Sequence, residues 1–472
     1  MNSLLLTIII ILPLIGALFI YQQEGKNKLD CSLINSFFTF SVMMIAIYLF
    51  LMTDTYSIFG FQFMEYIYIS KHISFCLAIN GINILFVLTV GIIFFSLSLI
   101  QAKYIKKQES VFSLISLSGI IGVFFSQNIF LLLFFLIISF LPVIYAADKD
   151  SSTKIQICAS LFILCASFVY IYIVSEPVVA FEKGFNIFSL TDCRKISTTV
   201  QLYLFLPVIS SLFVLSALTD WMKKTCEKSI IYSGIVSVIS KIGLYIAFIF
   251  IIPIFPEGIK FYRIVISCII VLFIIYKFIE AFCKKQLINQ IINYSSIHSS
   301  FIILLIVGPM SDDLLKGIII SCLCMPFILA ILLSSVGILK DREKPSEDLN
   351  GLLGAVPRLQ TVFYLGLFSM MSLPGTLAFP AQFVMAFAVI NLKNIFALVI
   401  LLLIPIITAV YMLNTCVPLF YGKLPMSYYG IKDIDHLETA GFTIIMLLLV
   451  IMGLCPYYID GFIANFMQTI IH

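Results

Sequence analysis

Charge is scarce in this sequence. Only 11% of its 472 residues are Asp, Glu, Lys or Arg, whereas a soluble domain carries roughly 25%. No polar stretch is long enough to fold as a soluble domain of normal size, so nucleotide-binding or redox machinery would have to sit on other subunits. Histidine is scarcer still, with four scattered copies. There is no HExxH, no P-loop and no GxGxxG following a strand, which leaves no enzyme motif. The 12 cysteines lie mostly inside apolar runs such as SLFILCASF. Cys322 and Cys324 are spaced too tightly for a structural zinc pair and have no second pair to join. No metal, cofactor or catalytic group is therefore expected on this chain. A net charge of +4 is small for the length and argues against nucleic-acid binding.

Apolar length is what the chain has in abundance. The mean hydropathy is +1.13, and runs of about 20 residues recur throughout, each able to cross a ~30 Å hydrocarbon core. We read about 14 spans, at 3–21, 31–52, 79–100, 111–126, 128–147, 155–174, 200–218, 229–253, 264–282, 290–308, 315–339, 359–391, 395–420 and 440–462. The fold class is an all-α polytopic transmembrane bundle forming one domain over 1–472. The first segment, SLLLTIIIILPLIGALFIYQ, lacks a basic n-region and a small-residue cleavage site, so it reads as a retained helix. The twelfth span is too long for one straight helix. SLPG at 372–375 and Pro380 suggest two half-helices around a break.

Basic residues orient the bundle. Loops after odd-numbered spans hold about 19 Lys and Arg against about 8 after even-numbered ones. That asymmetry puts the odd-following loops, including the polar 341–350 connection, in the cytoplasm and both termini on the opposite side. One basic residue fits neither set: Lys241, in VISKIGLYIAF.

A mid-helix lysine costs about 2.5–3.5 kcal/mol on insertion scales and normally faces a protein interior or a wet cavity. Lys241 lies about 12 residues, roughly 18 Å, from either end of its span, beyond the reach of snorkelling. A second polar cluster, INQIINYSSIHSS at 288–300, brings Asn289, Asn293, Tyr294, Ser295, Ser296 and His298 into the tenth span. These side chains either line a water wire or satisfy one another between packed helices. Gln382 and Ser372 flank the break of span twelve, and broken helices tend to mark transport sites.

Several stretches resemble one family, the M-type antiporter-like membrane subunits of respiratory complex I, called chain four in mitochondria. FQFMEYIYISKHISFCLAINGINILFVLT (61–89) resembles the early loop and following helix of that family, and FFLIISFLPVIYA (134–146) its fifth helix. VSVISKIGLYIAFIFIIPIFPE (236–257) is similar to its "LLKMGxYG…LPLFPE" stretch, and INYSSIHSSFIILLI (292–306) to "AYSSVSHMGFVLL". LNGLLGAVPRLQTVFYLGLFSMMSLPGTLAFPAQF (349–383) is similar to "GGL…P…F…ASIGLPGxxGFVGEF". The resemblance implies two inverted five-helix repeats (111–253 and 254–420), with 1–110 and 421–472 outside them, and discontinuous seventh and twelfth helices. It also implies residence in a bacterial or mitochondrial inner membrane among other membrane-arm subunits, which bind NADH and quinone.

The resemblance further implies where protons move. The family's eighth-helix lysine is present as Lys241. Its fifth-helix glutamate falls on Ile137, its seventh-helix lysine on Leu212, its twelfth-helix glutamate on Gln382 and a tenth-helix lysine on Asn289. An eleventh-helix histidine falls near Met325, and the loop "HTWLPDAHxEAP" survives only as LTDWMKKTCEKS. Replacing both members of a buried ion pair with apolar residues is often neutral, and Ile137 with Leu212 has that pattern. Glutamine keeps the hydrogen bonding of a carboxylate but does not titrate near neutral pH. The expected function is thus a membrane-arm subunit whose proton path is weakened or lost, with Lys241, Gln382, Asn289, His298, Tyr294 and Ser295 along what remains. The alternatives are a subunit of a multi-subunit cation/proton antiporter and a purely structural paralogue.

Overall fold

A computed structural model describes residues 4–23, 28–53, 61–68, 74–147, 151–174, 197–284, 286–342, 355–421, 432–457, 459 and 461–463. The polar connection expected at 341–350 falls outside these residues from 343 onward.

Helices begin close to where the apolar runs begin. The first six spans are α1 (Leu5–Gln22), α2 (Lys28–Met52), α3 (Gly81–Ile100), α4 (Lys107–Phe125), α5 (Ile129–Ala146) and α6 (Ser151–Val174). The seventh is broken into α7 (Thr198–Ala217) and α8 (Asp220–Lys228). The eighth, α9 (Ile231–Ile246), continues through a π-helical turn at Ala247–Ile251 to Ile254. Next come α10 (Pro256–Cys283), α11 (Leu287–Val307) and α12 (Asp312–Arg342). The twelfth span divides into α13 (Pro357–Met370) and α14 (Ala378–Asn391), and α15 (Ile395–Tyr421) and α16 (His436–Leu454) complete the chain. Thirteen described helices are long and apolar enough to cross a membrane. The broken α13–α14 pair makes the fourteenth span.

The break in span twelve has a local cause. Pro374 and Gly375 occupy the central positions of a turn closed by Thr376 N donating to the Leu373 carbonyl at 3.4 Å. Gly375 has φ +96°, which position i+2 of a type II turn requires, and open space where a Cβ would lie. The glycine is there for its backbone freedom. Gly453 serves a different need. A Cβ there would sit 2.4 Å from the Thr376 carbonyl carbon, so its absence lets α16 approach the break. Leu377 N then donates to the Leu449 carbonyl of α16 at 3.0 Å, satisfying a backbone group that the break sets free.

One element departs from the all-α expectation. Between α2 and α3, β1 (Gln62–Tyr68) and β2 (Ser74–Ile79) pair antiparallel, with Tyr66 opposite Cys76. The hairpin presents Glu65 to the start of α1. Its carboxylate accepts from Leu6 N at 2.7 Å and Thr7 N at 2.9 Å, an anion on a helix N-terminus. Asn80 then starts α3 through a capping box with Asn83.

Burial grades inward. The most apolar windows of α11 and α12 are buried along their whole length, and that of α9 nearly so. By contrast α10, α15 and α16 expose apolar rows such as Ile264, Ile269 and Leu272. The basic loops meet on one face. Lys103, after α3, pairs with Asp435, before α16, and holds that carboxyl below the usual range. On the same face Lys340 donates to the Glu227 carbonyl and Lys228 to that of Tyr145. Loops after odd spans thus gather together, as the charge asymmetry anticipates.

Candidate functional site

Lys241 stands on the inward face of α9, 2% exposed. Its ammonium donates to Ser299 Oγ at 2.7 Å, Ser295 Oγ at 3.0 Å and the Ser295 carbonyl at 3.2 Å, all on α11. An ammonium has three protons, and here three oxygens meet them. No carboxylate pairs with it among the described residues. Ser295 and Ser299 align on one face of α11 because they are four residues apart.

A second face of α11 carries Tyr294 and His298, also four apart. His298 Nε2 lies 2.7 Å from Ser321 Oγ on α12, while Nδ1 has no protein partner among the described residues. The two rings are 6.4 Å apart. Both line a cavity of about 40 Å³ with Ser321, Met325, Ser372 and Gln382. At ~10–15 Å³ per water, that volume takes about three waters. Polar groups are what such waters need, and the unpartnered His298 Nδ1 supplies one. Gln382 Nε2 donates to the Leu401 carbonyl of α15 at 2.9 Å, so the broken span is tied to the cavity wall.

The structure thus brings together most residues that the sequence singles out. Lys241 meets Ser295 directly, and Tyr294, His298, Met325, Ser372 and Gln382 share one cavity. Asn289 stands apart at the start of α11, where its amide donates to Gln286 Oε1 at 2.7 Å. Ile137 and Leu212 have different surroundings: Ile137 lies on the outward side of α5, 42% exposed, whereas Leu212 is fully buried in α7. Two serines escaped the sequence reading. The four-residue spacing from Ser295 was a usable signal for Ser299, but nothing local marks Ser321.

Chemically, this is a buried polar axis. Lys241 can hold or release a proton beside two hydroxyls, and between those hydroxyls on α11 the His298 imidazole faces a hydratable cavity at a helix break. Intramembrane ionisable groups and discontinuous helices are the marks of ion pathways. Fold and site together define a polytopic membrane bundle with a buried lysine and a hydratable cavity at its core.

The chain belongs to the NADH:quinone oxidoreductase/Mrp antiporter transmembrane family, whose pattern matches residues 118–408. It is 26% identical to NADH-quinone oxidoreductase subunit M of Rickettsia prowazekii (strain Madrid E), over 96% of this chain and 95% of that one. Its fold matches a chain in the structure of respiratory complex I from Thermus thermophilus with bound NADH, at TM-score 0.83 and 17% identity, covering 98% and 99% of the two chains. A chain of the Mrp complex from Dietzia sp. DQ12-45-1b matches at TM-score 0.82 and 14% identity, covering 100% and 99%.

Proposed function

We propose that this chain is a membrane-arm antiporter-like subunit of a complex I-type NADH:quinone oxidoreductase. It takes part in proton translocation coupled to electron transfer, along a path weakened by the loss of its carboxylates. The observation that carries this reading is Lys241 itself, buried mid-span on three oxygens with no counter-ion among the described residues, beside a cavity that reaches the break in span twelve. A lone buried ammonium is costly and sheds that cost by giving up its proton, which suits a group that exchanges protons.

In this mechanism Lys241 receives a proton from one side through the polar face of α11 and passes it towards the cavity. His298 lines that cavity, and waters between it and Gln382 lead to the freed backbone of span twelve. Gln382 orders those waters without taking up the proton itself. With a glutamine where a carboxylate would serve, the last transfer is slow. NADH and quinone are bound by other subunits. The basic loops face the cytoplasm or matrix, both termini face the opposite side, and the two breaks sit in inverted repeats spanning 111–253 and 254–420. The membrane is a bacterial or mitochondrial inner membrane.

The antiporter reading keeps some support, because the likeness to the Mrp chain is nearly as high as that to the complex I chain. Purifying the tagged chain from gently solubilised membranes separates the two. Peripheral NADH-oxidising and quinone-reducing subunits are expected to co-purify. Recovery with small cation-antiporter subunits and no NADH oxidation would replace the respiratory reading.

A further inference from the structure

A second buried charge cluster lies outside this axis, at the end of α10 and on α8. Among the described residues Glu280 is the carboxylate that binds all three of its lysines, while Asp220 acts on Lys284 from further off. Its Oε1 accepts from Lys223 at 2.8 Å and Lys284 at 2.7 Å, and its Oε2 from Lys277 at 2.7 Å. Lys223, Lys277 and Glu280 are nearly buried, with side chains at most 10% exposed, whereas Lys284 is 51% exposed. Three ammoniums share one buried carboxylate, so positive charge is in excess beside the apolar bundle.

The cluster touches the break of span seven, and the helix end before that break touches Ser296, the neighbour of Ser295 on α11. Lys277 Nζ donates to Thr219 Oγ1 at 2.9 Å, inside the interruption between α7 and α8. Two residues earlier, the Ala217 carbonyl accepts a hydrogen bond from Ser296 Oγ of α11. Ser296 belongs to a stripe formed by Asn289, Asn293, Ser296 and Ser300 at positions i, i+4, i+7 and i+11, one face of the helix. Asn293 is fully buried, and neither end of its amide has a partner among the described residues. A buried amide left so demands water. Ser296 is followed on the adjoining face by Ser299 and preceded by Ser295, the two that hold Lys241.

We propose that Glu280 with Lys223 and Lys277 is the proton-intake cluster of this chain. It stands in for the charged pair absent at Ile137 and Leu212, and feeds Lys241 through Thr219 and hydrated Asn293. The proposal rests on the proton-translocating reading above. In the transfer an N–H bond breaks on Lys277 and, after relay through water, one forms on the neutral amine of Lys241. The cluster gives up one positive charge and Lys241 becomes an ammonium. Water at exposed Lys284 then returns a proton to the cluster. Because Lys223 and Lys284 still neutralise Glu280, losing one proton strands no carboxylate.

Lys277→Arg tests this in the assembled complex reconstituted in vesicles, with protons moved per NADH oxidised as the readout. Arginine keeps the cation and its bond to Glu280 but does not release a proton. The expected result is near-normal NADH oxidation with loss of the same proton increment that Lys241→Met loses. A wild-type ratio in Lys277→Arg, with the increment lost in Lys241→Met, overturns the cluster alone. Wild-type ratios in both overturn the translocation reading as well. Should the arginine fail to assemble, the triple variant Lys223→Met, Lys277→Met, Glu280→Leu removes every buried charge together, a replacement that cores tolerate. Loss of the increment in that variant supports the proposal, and a wild-type ratio overturns it.

Discussion

Glu438→Gln is expected to destabilise the bundle by about 3–5 kcal/mol, the usual cost of removing one partner from a buried ion pair. Glu438 is 2% exposed and sits in the first turn of α16. Its carboxylate accepts twice from Arg342 Nη2, at 2.7 and 2.5 Å, and from Tyr104 Oη at 3.1 Å and Asp435 N at 2.7 Å. Those donors come from the end of α12, the α3–α4 loop and the residue before α16, so one side chain fastens three parts of the basic face. Glutamine fills the space but turns an NH₂ toward a guanidinium that has only donors. Thermal unfolding in detergent should show a midpoint lowered by several degrees. The double variant Arg342→Met, Glu438→Met should recover most of it, because no charge is then stranded. An unchanged midpoint in Glu438→Gln would mean that water satisfies the guanidinium and the face is more open than its burial indicates.

The second large effect is expected from Ser295→Ala with Ser299→Ala. Together these leave Lys241 only the Ser295 carbonyl. Hydrogen bonds to a charged group contribute about 1.5–3 kcal/mol each, so two lost bonds cost about 3 kcal/mol or more. The lysine responds by discharging or by pulling water in, and either change disfavours the charged form that it takes up in each cycle. Adding Lys241→Met to the double variant removes the stranded charge and should restore the unfolding midpoint without restoring proton movement. A double variant as stable as the wild type would show that water already shares the load of the two hydroxyls.

How much of this was legible depended on whether the signal was local. Spans are local: an apolar run of sufficient length must become a helix in a bilayer, so the spanning helices begin and end near the hydropathy boundaries, whereas polar α8 lay in an expected loop. Lys241 announced itself by its distance from polar sequence, and SLPG marked the span-twelve break because proline and glycine carry their turn geometry with them. The break in span seven has neither residue at Leu218–Thr219, so only the family resemblance pointed to it. The hairpin at Gln62–Tyr68 was missed because a short strand of mixed polarity in a loop has no pattern to compete with the long helices. Ser321 and the Glu280 cluster were invisible for a different reason. Lys277 and Lys284 lie three residues before and four after Glu280, but the partner of Ser321 and the third lysine, Lys223, arrive from other helices, and no spacing within one element encodes those meetings.

The most direct test is the number of protons moved per NADH oxidised by the assembled complex in sealed vesicles, with Lys241 present or replaced by methionine. Methionine matches the stem of lysine and carries no charge, so packing between α9 and α11 is kept. If Lys241 is a working proton site, the ratio falls while NADH oxidation continues with uncoupler present. An unchanged ratio in fully assembled complex would contradict that role and leave the lysine a purely structural part of the core.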